Sequence, residues 1–279
     1  PTPKKSALAE LYRSDYRKQT NETPNKQYLM RMDARANSQK SFILKHSPTT
    51  FVPSKILDIG CGAGSLLLVF ADDAEKVTGF EPDINMMEFA CSRLSSSSLL
   101  FNETFSPRKS NNICNYTLIM ASHVLEHVPD PCSFISNIFS ILDEEGLLFL
   151  EVPSETEDTV RDVIKYKHKG RMHLLFFNPE TIRGAIEAAG GEVIFMSTFG
   201  QDINSFSVVT PQERYRKNPM LYLVQKSLMP IIQYLNIESL KFKCGFSEYE
   251  YFNRETPKSG IVIRVLAKKC SKEIFVGNR

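Results

Sequence analysis

From residue 55 onward the chain alternates short apolar runs with amphipathic stretches. "KILDIG" (55–60) is an aliphatic run closed by glycine, a strand pattern, and "SLLLVFADD" (65–73) reads as the helix behind it. The pair repeats as strand "KVTGFEP" (76–82) and helix "INMMEFACSRL" (84–94). "LLF" (99–101) and "YTLIMAS" (116–122) are further strands, and "CSFISNIFSILDEEG" (132–146) is a helix. "LLFLEVP" (147–153) is a strand, "PETIRGAIEAAGG" (179–191) a helix, and "EVIFMSTFG" (192–200) a strand. Strands separated by helices are βαβ units, so the pattern predicts an α/β fold whose mostly parallel sheet is covered on both faces.

Boundary chemistry agrees. Asp130-Pro131 and Asn178-Pro179 each set an N-cap residue before a proline at the first helical position, and Gly190-Gly191 follows a helix end. Before the alternation, residues 1–27 are a polar, basic arm. "QYLMRMDARANSQKSFILKH" (27–46) carries Leu29, Met32, Ala36, Phe42 and Ile43 at helical spacing, and "SPTTFVPS" reads as a loop. The alternation pauses over 201–257, a segment helical around "LYLVQKSLMPIIQYL", and resumes at "GIVIRVLAKK" (260–269), the last strand. The organisation expected is an N-terminal arm and helix (1–46), then one domain (47–279) with an insertion at 201–257.

Composition narrows this little. A length of 279 residues, 42% hydrophobic and 24% charged, suits a globular chain with a sizeable core, and a net charge of +2 gives no reason to expect nucleic acid. Six cysteines lie far apart with no C-x-x-C pair, which reads as reduced thiols in a cytoplasmic setting. No apolar stretch is long enough to span a membrane, and "PTPKKSALAE" lacks the apolar core of a signal peptide. The chain begins with Pro1, so processing or a larger parent chain is expected, and a homodimer is a further expectation.

The densest chemistry is in "ILDIGCGAG" (56–64). Gly60, Gly62 and Gly64 occupy the turn after the first strand, where the ligand crevice of an open parallel sheet lies, and let backbone approach a ligand with no Cβ between. Glu81, 23 positions after Asp58, closes the second strand, where a carboxylate can accept from both hydroxyls of a ribose. Together they predict a nucleoside-containing cofactor. A dinucleotide fingerprint needs G-x-G-x-x-G, but Ser65 stands at its third glycine, and Asp58 would repel a pyrophosphate. Asp58 suits a cofactor carrying an amine. This disfavours a dinucleotide-dependent oxidoreductase; a non-catalytic cofactor-binding module is another alternative.

"ILDIGCGAG", "GFEPD", "HVLEHVPDP", "LLFLEVP" and "HLLFFNPETI" resemble class I S-adenosylmethionine-dependent methyltransferases, above all the group that contains ubiquinone-biosynthesis-type O-methyltransferases and enzymes of glycan and natural-product pathways. The resemblance covers roughly residues 50–200 and the last strand. It implies a Rossmann-like, doubly wound sheet of seven strands, six parallel and the last antiparallel, with a helical insertion before the last. It implies that Gly60, Cys61 and Gly62 meet the methionine end of S-adenosylmethionine and Glu81 its ribose, with Pro82 or Asp83 nearby. Asn102 or Glu103 would lie near the adenine, in a place where the family usually has aspartate. Ser122, at the end of the fourth strand, is a further cofactor contact. Arg35 could meet the cofactor's carboxylate; the alternative is a solvated helix face.

Methyl transfer from a sulfonium is an in-line displacement, so catalysis is largely positioning, and a hydroxyl acceptor also needs its proton removed or its oxygen polarised. "SHVLEHVPD" supplies His123, Glu126 and His127, which share a face if a helical turn begins there, and "RMHLLFF" adds His173. Two readings compete. In one, His123, with His173 beside it, serves as a general base. In the other, His123, Glu126, His127 and His173 hold a divalent cation. The resembling ubiquinone-pathway and small-RNA 2′-O-methyltransferases carry an acid where His123 stands, which weakens the metal reading. Alternatively, Glu126 and His127 only cap and pack. His46 and His168 read as surface residues.

The insertion holds five of the ten tyrosines (Tyr215, Tyr222, Tyr234, Tyr249, Tyr251), and between 214 and 243 six basic residues face one acid, Glu238. A lid of this composition suits a saccharide ring or an anionic metabolite; the alternative is a solvated helix with core aromatics. The activity expected is O-methylation of a hydroxyl on a saccharide or other small molecule, with C- or N-methylation as the alternative.

Overall fold

A computed structural model describes residues 25–106, 115–155, 173–202, 227, 255–257 and 260–270. Lys55–Ile59 forms β1, buried from Ile56 onward, and Lys76–Phe80 forms β2 beside it, parallel, with Asp58 opposite Gly79. Leu99–Phe101 (β3) extends the sheet beyond β2. Tyr116–Ser122 (β4) lies on the other side of β1, and Leu142–Pro153 (β5) beyond it, both parallel. Gly191–Asp202 is β6 and Gly260–Lys269 is β7, and the full order is β3-β2-β1-β4-β5-β7-β6. Lys269 donates to the Leu142 carbonyl at the start of β5, while Arg264 meets Glu151 near its end, so β7 runs against β5. The Cys270 N–H reaches the Gly190 carbonyl, placing the end of β7 at the start of β6. The implied sheet, six strands parallel and β7 antiparallel, is therefore present.

The helices follow their caps. Lys26–His46 is α1, with the Asn25 side chain accepting from the Tyr28 N–H. Ser65–Leu68 is α2 and Ile84–Arg93 is α3, capped by Asp83 on the N–H groups of Asn85 and Met86. Pro131–Phe139 is α4 and Pro179–Ala188 is α5, capped by Asp130 and Asn178 as the Asx-Pro pairs predict; Asn178 forms a capping box with Thr181. Ile135, Ile138 and Phe139 of α4 pack with Ile182 and Ile186 of α5 into the main core with Leu148, Leu150 and Val265. Each such side chain contributes roughly 1.5–3 kcal/mol by leaving water.

Two predicted boundaries move. The helix expected over 65–73 is a single turn, because past Leu68 the N–H groups of Phe70 and Ala71 bond to the third residue back, and the chain tightens into 3₁₀-type turns. The helix expected over 132–146 ends at Phe139, and "LDEEG" belongs to β5: Leu142 pairs with Tyr116, and the ladder shifts register between Tyr116 and Leu118. That irregularity (an acidic lead-in to an apolar strand) has no period to betray it.

The chain divides into two compact units, Pro1–Met196 with Ile263–Arg279, and Ser197–Val262. In the second, Thr198 accepts from Thr256 through its carbonyl and from the Gly260 N–H through its hydroxyl. A Cβ on Gly260 would sit 2.4 Å from the Phe199 backbone. The arm before residue 25, His168 and nearly all of the predicted insertion lie outside the described residues. Among the described residues no helix is long and apolar enough to cross a membrane.

Candidate active site at the carboxyl edge of the sheet

The turn after β1 is left-handed at Gly60 (φ +72°), Gly62 (φ +54°) and Gly64 (φ +78°). Gly60 also has no room for a side chain, since a Cβ there would lie 2.6 Å from Val124 Cγ2. Sequence reasoning assigned these glycines to a ligand; part of their necessity is conformational and steric. The N–H groups of Gly60 and Cys61 both donate to the Phe80 carbonyl, and that of Gly62 donates to Glu81 Oε2 at 2.9 Å. Glu81 Oε1 accepts from the Asp83 N–H, also at 2.9 Å. Loop and acid, read separately in the sequence, are joined.

Asp58 is buried, and its Oδ1 makes no hydrogen bond among the described residues. Burial, aided by the Glu81 charge, pushes its carboxyl well above the ordinary range. Cys61 is buried too, and burial with the neighbouring Asp58 and Glu81 pushes its thiol up. Pro82 offers its carbonyl to Asn102, whose amide donates to the carbonyls of Glu81 (2.9 Å) and Pro82 (3.2 Å). Asn102 thus braces the turn that carries Glu81, a role the adenine expectation did not include.

At the end of β4 the Ser122 hydroxyl accepts from Gln39 at 2.9 Å and donates to Glu151 Oε1 at 3.2 Å. Arg35 donates to the same Glu151 oxygen through Nε (2.8 Å) and Nη2. Its side chain is 13% exposed, so the solvated-face alternative does not describe it. Burial alone would raise Glu151, but Arg35, Arg264 and His123 hold its carboxyl well below the usual range.

His123 is left-handed (φ +56°), uncommon for a residue other than glycine, though histidine tolerates it better than most. A 3₁₀ turn, Leu125–His127, follows it in place of the expected α-helical face. His123 Nδ1 lies 3.1 Å from Glu126 Oε1, a close polar contact, and buried Nε2 lies 3.7 Å from Glu151 Oε1. The Leu174 and Leu175 N–H groups donate to the Glu126 carbonyl at 2.8 and 3.1 Å and so bring His173 to the turn, its ring 5.1 Å from that of His127.

Glu126, His127 and His173 can each offer one ligand atom, all within 4.8 Å of one another. His123, the fourth ligand expected, is not in that group. Both Glu126 oxygens are buried and make no aligned hydrogen bond among the described residues. Burial would raise this carboxyl, but His123 and His127 outweigh it and hold it below its ordinary value. A buried carboxylate with two imidazoles within ligand distance fits a divalent cation.

Sequence reasoning missed Glu151, Gln39, Arg264 and Arg93. Arg93 reaches from α3 to the Ala63 carbonyl, Ser65 and Asp33 of α1, bracing the glycine turn. The signal for two of them was present: Glu151 and Arg264 are opposite charges inside apolar strand runs, and charges buried there must pair.

The model of a methyltransferase domain matches residues 28–194. The ubiquinone biosynthesis O-methyltransferase of Haemophilus ducreyi is 30% identical over 109 residues, 37% of this chain and 46% of that protein. The chain thus spans about half the length of the curated relatives it matches. Among solved structures, magnesium protoporphyrin IX methyltransferase from Synechocystis with bound S-adenosylhomocysteine superposes with a TM-score of 0.53 at 17% identity, over 71% of this chain and 94% of that one. A Haloferax volcanii complex of the Trm112 activator with a methyltransferase gives 0.57 at 13% identity, over 92% and 98%. Likeness at such identity establishes the fold, and the match over 28–194 establishes the family: the chain belongs to the S-adenosylmethionine-dependent methyltransferase domain family.

Proposed function

We propose that this chain transfers the methyl group of S-adenosylmethionine to a hydroxyl of a small molecule, a saccharide or an anionic metabolite being the class that the composition of 201–257 favours. The observation that carries the oxygen acceptor is the Glu126–His127–His173 group at the carboxyl edge of the sheet, in a chain whose relatives include O-methyltransferases. The donor's amine is assigned to Asp58, its methionine end to the Gly60–Gly64 turn and Ser122, its ribose to Glu81, and its carboxylate to Arg35. The role of this chain is to hold the two reactants in line and exclude water.

Glu126, His127 and His173 would hold a divalent cation. When bound, such an ion polarises an acceptor oxygen and lowers the pKa of its proton. Glu126 presents the carboxylate, and His123 orients it through Nδ1.

A second reading, His123 as general base, is favoured by its left-handed backbone and partial side-chain exposure of 29%. It requires the ring to turn a nitrogen from Glu126 or Glu151 towards the acceptor. The four described cysteines are free thiols, which fits a reducing, cytoplasmic compartment.

The test is incubation with methyl-labelled donor and a panel of saccharides, phenols and amines, with and without chelator. Label recovered on oxygen and lost on chelation supports the reading; label on nitrogen or carbon, or chelator-insensitive turnover, contradicts it. Full activity of His123→Ala removes the base.

A further inference from the structure

Glu151 is the last residue of β5 to pair with β4, opposite Ser122, at the edge where an open α/β sheet binds its ligand. Its side chain is fully buried. Oε1 accepts from Arg35 Nε and Nη2, from Gln39 Nε2 at 2.9 Å and from the Ser122 hydroxyl, while Oε2 takes Arg264 Nε. Arg264, itself fully buried, also donates through Nη1 to Ser38 at 2.8 Å. The Glu151 carbonyl accepts from the His123 N–H at 2.8 Å. One residue therefore gathers two side chains of α1, the end of β4, the His123 turn and β7, with Ser38 of α1 joined through Arg264.

Two physical points follow. An arginine side chain has about 2 kcal/mol of rotamer entropy to lose on binding, and a fork already engaged on a carboxylate has lost most of it in advance. Two guanidinium groups also meet on this one carboxylate, and the acid on the other side of His123, Glu126, lies against the histidines of its own turn. Asp58, with an orphaned oxygen, lies in β1, the strand beside β4. An arginine at one side and a lone carboxylate at the other suit the two ends of a zwitterionic amino-acid group.

We propose that Glu151 is a positioning residue for the methyl donor: it holds Arg35 of α1, with Gln39 and Ser122, so that the guanidinium is aimed at the donor's α-carboxylate. This rests on the assignment of Arg35 to that carboxylate. Glu151 touches neither donor nor acceptor and acts through Arg35.

The test is a double-mutant cycle on S-adenosylhomocysteine affinity, measured by calorimetry with wild type, Glu151→Gln, Arg35→Gln and the double variant. Glu151→Gln is expected to weaken binding about tenfold, and to have little further effect once Arg35 is gone. A merely structural role lowers Tm and leaves affinity unchanged or the two losses additive, and either result overturns the proposal. Should Glu151→Gln fail to fold, Glu151→Asp replaces it in the same cycle. It keeps the charge but retracts the carboxylate from α1, and the same non-additive loss is expected; wild-type affinity overturns the proposal. A wild type that ignores S-adenosylhomocysteine sinks the donor site itself, whereas a binding wild type with an indifferent Glu151 sinks only this inference.

Discussion

The backbone N–H of Gly62 donates to Glu81 Oε2 over 2.9 Å, so the turn after β1 and the acid after β2 form one hydrogen-bonded unit. The Asp83 N–H holds the other oxygen, and Asp83 in turn caps α3. The carboxylate is thus oriented by two backbone donors before any ligand arrives. That preorganisation is what a site needs if ribose hydroxyls are to bind without a further entropy cost.

Glu81→Gln keeps the size of the side chain but loses the charge and one acceptor. S-adenosylhomocysteine affinity is expected to fall roughly 10- to 100-fold, the size of one or two hydrogen bonds to a charged group. Calorimetry checks this, and unaltered affinity would remove the ribose from Glu81.

Gly60 and Gly184 make a matched pair for stability. Gly60→Ala combines a φ of +72° with a clash on Val124, and is expected to cost about 1–3 kcal/mol. Gly184, inside α5, has nothing within 4 Å of an added Cβ, so Gly184→Ala is expected to gain about 0.5–1 kcal/mol. Thermal unfolding of both should show Tm moving in opposite directions; equal shifts would mean that the turn is not strained as described.

Asp58 carries a pH prediction. Its folded-state pKa is raised, so the native state binds the proton more tightly than the unfolded chain and stability is lost as the carboxyl ionises. The cost is absent below the unfolded value of 3.8 and fully present above the raised folded value. Asp58→Asn should therefore raise the Tm of the ligand-free protein at neutral pH by about 2–4 °C, the equivalent of about 1 kcal/mol at this length. The gain should shrink as pH falls, while donor affinity drops because the amine loses its counter-ion. A Tm gain independent of pH contradicts the assignment.

Dialysis against chelator, His127→Ala and His173→Ala should each lower turnover at least about tenfold, because each empties or cripples the proposed cation site. S-adenosylhomocysteine affinity should stay within about twofold, as the proposed roles put these residues on the acceptor side. Added Mg²⁺ or Mn²⁺ should restore the dialysed wild type but neither variant. Chelator-resistant turnover would return the chemistry to His123.

How far the sequence carried these conclusions follows from what kind of signal each feature leaves. Period and caps are local, so α1, the strands and the Asx-Pro helix starts were legible, and so was the glycine turn with Glu81. The end of α4 was not, because "LDEEG" becomes strand through pairing with Tyr116 on β4, a contact made across the sheet. The histidine turn was legible as residues and illegible as geometry: a helical face was expected, whereas a left-handed His123 and a 3₁₀ turn set Glu126 between imidazoles. Asn102 and Arg35 were picked out as ligand contacts, but the hydrogen bonds that anchor them lie with partners 21 and 116 positions away. Glu151 and Arg264 show the same limit, 113 positions apart and joined only by the order β5-β7.

The Gly60–Gly64 turn, Asp58 and Glu81 together are the proposed site of the methyl donor. Calorimetric titration of the purified wild-type chain with S-adenosylmethionine and S-adenosylhomocysteine tests it most directly. Saturable binding of both, one per chain, with no heat from NAD, is the predicted result. No binding of either, or a preference for the dinucleotide, would contradict it.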